Sequence, residues 1–170
     1  MGPISAADYG IVSALKCERV LLKFDPKDLN GSTRNGGAAV ACSDGDTDIR
    51  VFHGQISHRP HCQLITGGTL RYIPSFRGYK KRFAFELMRD LKALMSIKET
   101  KTLFLYLHAP CGMAIKYLYG IREQISLAAE ARNFFASDQF FVPEKIHLLF
   151  HVKRLDTGGD LKQRTYKIAL

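Results

Sequence analysis

Pro110-Cys111-Gly112-Met113-Ala114 is the stretch of this chain most suited to chemistry. It follows an apolar run from Thr102 to Ala109 and leads into Ile115-Lys116-Tyr117-Leu118-Tyr119, so it reads as a strand turning into a helix at Cys111. A thiol at a helix N-terminus has a lowered pKa, and the thiolate is both a nucleophile and a soft metal ligand. Ligation needs partners. His108 stands just before the Pro-Cys turn, where it either reaches inward or caps a strand end. His147 and His151 share a strand face but lie about 13 Å apart along it, too far for one ion. His53 and His58 read as strand-edge and loop residues. As a nucleophile Cys111 would need a base, and no Asn or Asp partner is identifiable.

The elements that must position these residues follow from periodicity. Ser5 is a suitable N-cap, and Ile11, Leu15, Val20, Leu21 and Leu22 predict a helix over about 6–23, ended by Asp25-Pro26. Residues 27–37 read as loop. Gly37 to Ser43 reads as a small-residue strand, Asp44-Gly45-Asp46 as a hairpin turn, and Asp48 to Gly54 as the returning strand. Pro60 suits the first turn of a short helix holding His61 to Ile65, cut off by Gly67-Gly68. Phe83 to Ile97 predicts an amphipathic helix with Phe83, Leu87, Leu91, Leu94 and Met95 inward. Residues 102–108 carry little charge and predict a central strand. Helix resumes at Cys111, with Gly120 as an interruption before 121–135. The segments 145–155 and 161–169 form a hairpin about Asp156-Thr157-Gly158-Gly159-Asp160.

This order predicts one α/β domain over 1–170, an α/β/α sandwich on a mixed sheet of about five strands with an antiparallel C-terminal hairpin. The order and the two short motifs resemble the cytidine-deaminase-like superfamily of zinc-dependent nucleoside and nucleic-acid deaminases, whose signature is His-x-Glu followed by Pro-Cys-x-x-Cys. The resemblance spans about residues 5–169. It implies that His61 and Cys111 hold zinc, that Gln63 stands where the general acid–base glutamate belongs, and that Ala114 stands where the third ligand belongs. Glutamine does not exchange protons near neutrality, and alanine cannot ligate. Zinc is therefore expected to be weakly held or absent unless His108 or Cys62 replaces the missing ligand. The implied function is a catalytically inactive deaminase-like protein acting by binding. The alternatives are an active or deliberately inactivated zinc-dependent hydrolytic deaminase, and an unrelated basic α/β binding domain.

Composition narrows the partners. The net charge of +9 favours a polyanion. Arg71 to Phe83 holds five basic and four aromatic residues and no acid. Arg71, Tyr72, Arg77, Tyr79, Lys80, Lys81 and Arg82 are thus the candidate contacts for single-stranded nucleic acid or a nucleotide, with a protein partner as the alternative. No apolar run approaches the ~18 residues of a membrane span, and no secretory signal is visible. The four cysteines lack C-x-x-C spacing, and Cys17 and Cys42 read as buried free thiols in a reducing compartment. An intracellular location, cytoplasmic or nuclear, is the expectation.

Overall fold

The computed structural model describes residues 2–25, 36–43 and 61–169. The expected loop from 27, the Asp44–Asp46 turn, the strand over 48–54, His53, His58 and the side chain of Cys62 lie outside the described residues.

Helix α1 spans Ala6–Cys17. The Ser5 hydroxyl accepts the Asp8 amide at 3.1 Å, so the predicted cap is present. The helix stops six residues short of the expected end. Arg19 takes a left-handed φ of 60°, the Val20 amide reaches back to Leu15, and the Arg19 amide reaches Lys16. That is a Schellman closure built without glycine. Val20-Leu21-Leu22, freed from the helix, feeds strand β1 (Leu21–Lys23). The same closure recurs at Glu99 after helix α2 (Lys81–Ile97) and at Leu118 after the short helix α3 (Gly112–Lys116). Helix α4 (Ile121–Ala136) starts at Gly120, whose amide donates to the Glu123 carboxylate at 2.7 Å. Arg122 of α4 clamps Glu18 at the end of α1 with two hydrogen bonds.

The remaining strands are β2 (Ala38–Cys42), β3 (His61–Ile65), β4 (Leu103–Ala109), β5 (Ile146–Leu155) and β6 (Leu161–Ile168). They form one six-stranded sheet in the order β1-β6-β5-β4-β2-β3. Strands β3, β2, β4 and β5 run parallel, while β6 returns antiparallel to β5 and β1 pairs antiparallel with β6. The C-terminal hairpin and the central position of β4 agree with expectation. Among the described residues the sheet has six strands rather than about five: four expected strands are present, the one over 48–54 lies outside the described residues, and Leu21–Lys23 joins as an edge while His61–Ile65 is a strand, not a helix. A five-residue segment stopped by two glycines is too short to be a stable helix by itself, and β2 offers it a full parallel ladder.

The two faces of the sheet differ. Side chains from α1, α2 and α4 close over one face in a single cluster with Val40, Leu103, Leu105, Leu107, Leu148 and Phe150. In α2 the buried residues Ala84, Leu87, Leu91 and Met95 recur at helical spacing, close to the predicted stripe. The other face carries Phe24, Ala39, Ala41, Phe104, Tyr106 and Leu149, and no described helix residue joins it. The third layer of an α/β/α sandwich is thus not among the described residues.

On that second face the His147 ring stacks on Phe104 at 5.3 Å. Burial, and then the charge of Lys167, lower its pKa to about 4. The folded state therefore resists protonation that the unfolded chain accepts near pH 6.5. Stability is full above pH 6.5 and is lost as pH falls toward 4, by about 1–3 kcal/mol once solvent screening is allowed for. Denaturant titrations at pH 7, 5.5 and 4 check this. His147→Phe, which keeps the stack, should lose that share of the acid dependence, and an unchanged slope would exclude His147 as its source.

Candidate metal centre

Parallel neighbours β2 and β4 end side by side, and open α/β sheets bind ligands beyond the carboxyl ends of such strands. Cys42 is the last residue of β2, His108 the penultimate residue of β4, and Cys111 the N-cap residue of α3. All three are buried, and one ligand atom from each lies within 4.8 Å of the others. Tetrahedral zinc with Zn–S of about 2.3 Å places two thiolates about 3.8 Å apart, so a small contraction completes the ligand set. The three-residue step from His108 to Cys111 carries the chain from strand end to helix start, which turns both side chains to the same point.

The surroundings support thiolate chemistry. The Gly67 amide donates to the Cys42 sulfur at 3.2 Å, an outer contact that spreads sulfur charge. Hydrogen bonding with Cys111, together with burial, drives the Cys42 thiol far above its ordinary range, while His108 pulls the other way. The second thiol and burial together outweigh the imidazole and oppose ionisation of Cys42. A divalent cation reverses that, because a coordinating thiol is deprotonated outright. The donor set, two sulfurs and one nitrogen, suits zinc. A cavity of about 10 Å³ adjoins it, lined by Cys42, Gly67, Tyr106, His108, Cys111 and Gln124 among others. That is about the space one water requires.

Of the ligands that the deaminase resemblance implied, Cys111 is in this group and His61 is not. His61 starts β3 opposite Ala38, whereas Cys42 pairs with Ile65 at the far end of the same ladder. Four residues of strand, about 13 Å, separate the two levels. Gln63 is engaged elsewhere. Its amide nitrogen donates to the Leu87 carbonyl at 3.3 Å, and its oxygen accepts from the Tyr72 hydroxyl. Ala114 is fully buried on α3. His108, weighed as a replacement ligand, is in the group. Cys42 was read only as a buried thiol. Its strand-end position was visible, but nothing local in the sequence pairs it with a motif 66 residues away.

The basic-aromatic segment turns its rings inward. Tyr72 and Phe76 are buried in the main cluster, and Tyr79 packs against it. Tyr72 and Phe76 therefore present no face to a base, while Tyr79 and Phe83 are half-buried. Arg71 donates to the Gly78 carbonyl and lies over the Phe83 ring, and Arg77 donates to the Tyr117 carbonyl and lies over Tyr119. Both act as braces for the segment. Lys80, Lys81 and Arg82 are exposed at the start of α2, with Arg82 paired to Glu86. No described helix is long and apolar enough to cross a membrane.

Fold and site together define a mixed α/β-sheet protein with a buried Cys₂His centre at the carboxyl ends of two central strands. No family model matches the chain, and no curated protein does. Among solved structures it is similar to a carbonic anhydrase from Glaciozyma antarctica, at 17% identity and a TM-score of 0.43, over 98% of this chain and 96% of that one. It is also similar to a carbonic anhydrase from Streptococcus mutans, at 12% identity and a TM-score of 0.44, over 98% and 99%. Likeness at this level fixes nothing about the chemistry of this chain.

Proposed function

We propose that this chain is a zinc protein that uses Cys42, His108 and Cys111 as ligands and adds water to a very small electrophile. The observation that carries the reading is the convergence of these three buried side chains beside a water-sized cavity. Among the described residues three ligands converge, and a zinc held by three protein ligands would keep a position for water, as catalytic rather than structural sites do. The ion, when bound, supplies a Lewis acid that brings the pKa of water toward neutrality. The chain supplies the rest. Two strand ends and a helix start hold the ligands, the Gly67 amide steadies one sulfur, and apolar walls from Leu70 and Leu107 exclude bulk water.

Cavity size chooses among substrates. A nucleoside does not fit a cavity with room for about one water, so the candidates are the smallest electrophiles, of which carbon dioxide is the one to test. Hydration of carbon dioxide yields bicarbonate and one proton, which a dye reports in stopped flow. The expected result is one zinc per chain, hydration above the uncatalysed rate, and no uridine from cytidine. Stoichiometric zinc without hydration would reduce the site to a structural one. Absence of zinc from protein purified and refolded with the metal would sink the proposal, and uridine formation would return the chain to the deaminases.

A further inference from the structure

Gln124 is the one glutamine on the buried stripe of α4, where its neighbours at helical spacing are Ile121, Leu127 and Ala128. It is 4% exposed. A polar side chain at such a position is expected to be hydrogen-bonded. Yet its Oε1 is buried with no hydrogen-bond partner among the described residues. The same side chain lines the cavity shared with Cys42, His108 and Cys111. Gln124 is thus a buried acceptor facing the place where a small donor molecule has room.

We infer that Gln124 is a positioning residue: its Oε1 would accept a hydrogen bond from a water in the cavity beside Cys42, His108 and Cys111 and so orient that water for attack. This rests on the metal reading above and assigns a residue that the reading does not need. An amide oxygen accepts but does not take up a proton near neutrality, so Gln124 aims the water and is not its base. Its backbone belongs to α4 rather than to either ligand-bearing strand, so its effect on water is separable from ligation.

The test uses the full chain reconstituted with cobalt, which reports the fourth ligand in its visible spectrum, and azide as the probe. Azide displaces water but has no proton to donate to Oε1. Gln124→Leu, and independently Gln124→Met, remove the acceptor and with it the advantage of water over azide. Azide affinity should therefore rise about fivefold, the size of one ordinary hydrogen bond. Turnover of carbon dioxide should fall about tenfold in kcat with KM little changed, and metal content should stay at one per chain. Metal bound in every variant with unchanged azide affinity would overturn the inference and leave the metal reading standing. Loss of metal from both variants would overturn it too, since Gln124 would then be supporting the ligands. An unaltered chain that binds neither cobalt nor zinc would instead remove the metal reading itself.

Discussion

Cys111→Ala is expected to abolish stoichiometric zinc binding, as are Cys42→Ala and His108→Ala, while His61→Ala retains it. Among the described residues three ligands converge at the site. Removing an outer partner of a metal ligand already lowers affinity about 10–100-fold, so loss of a ligand should exceed that range. The contrast with His61 is the sharpest feature of the expectation. If the deaminase-like pairing held, His61 would matter as much as Cys111. The strand register instead places it at the far end of the β2–β3 ladder. Elemental analysis and a chromophoric chelator competition read the affinities. Chelation should also lower the melting temperature of the parent chain, because an ion bound to the folded state alone adds to its stability, and the Cys42→Ala variant should show no such response. Equal zinc loss from His61→Ala and Cys111→Ala would refute the assignment.

Gly68→Ala should be among the most destabilising single substitutions of the site, at about 2–4 kcal/mol. Gly68 has a φ of 51°, in the left-handed region where a Cβ is disfavoured. An added Cβ would also lie 2.8 Å from the Cys42 amide nitrogen and 3.0 Å from the Ala41 carbonyl carbon. These are backbone atoms of a strand paired with β3 along its whole length and cannot easily step aside. Relief must come from moving the end of β2, which displaces Cys42 and weakens zinc binding together with stability. Gly67→Ala is the control. Its φ of 90° is strained as well, but its Cβ would meet only the side chains of Arg71 and Met113, at 3.2–3.3 Å. Those ends can shift, so the loss should be smaller. Urea unfolding of the two apo variants, followed by zinc competition, separates the backbone clash from the metal effect. A Gly68→Ala chain as stable as Gly67→Ala, with parental zinc affinity, would show that the turn does not bear on Cys42.

Helix α2, the buried strand β4, the break at Gly120 and the C-terminal hairpin were legible because each has a local cause: an apolar stripe at helical spacing, a charge-free run, and glycines at the turns. Cys111 as a chemically placed thiol was legible for the same reason, since strand, Pro-Cys and helix follow one another in the chain. Helix ends were less so. Closures at Arg19, Glu99 and Leu118 use left-handed residues that are not glycine, so the usual stop signal is missing, and Leu21 and Leu22 continued a helical pattern while serving in an edge strand.

The sequence by itself determined the element types around Cys111, the reduced-thiol chemistry available there and the nearness of His108, because all three depend on residues a few positions apart. Only the tertiary structure decided the partners. Parallel pairing of β2 with β4 carries Cys42 to His108 and Cys111, and the pairing of β3 with β2 carries His61 away. Packing of α4 against the sheet then brings Gln124 to the same cavity, and burial of Tyr72 and Phe76 withdraws the rings of a segment whose composition had suggested a nucleic-acid surface. The physical reason is common to these cases. Strand register and burial are set by nonlocal hydrogen-bond ladders and by the competition of apolar side chains for one core, and neither leaves a mark in the local order of residues.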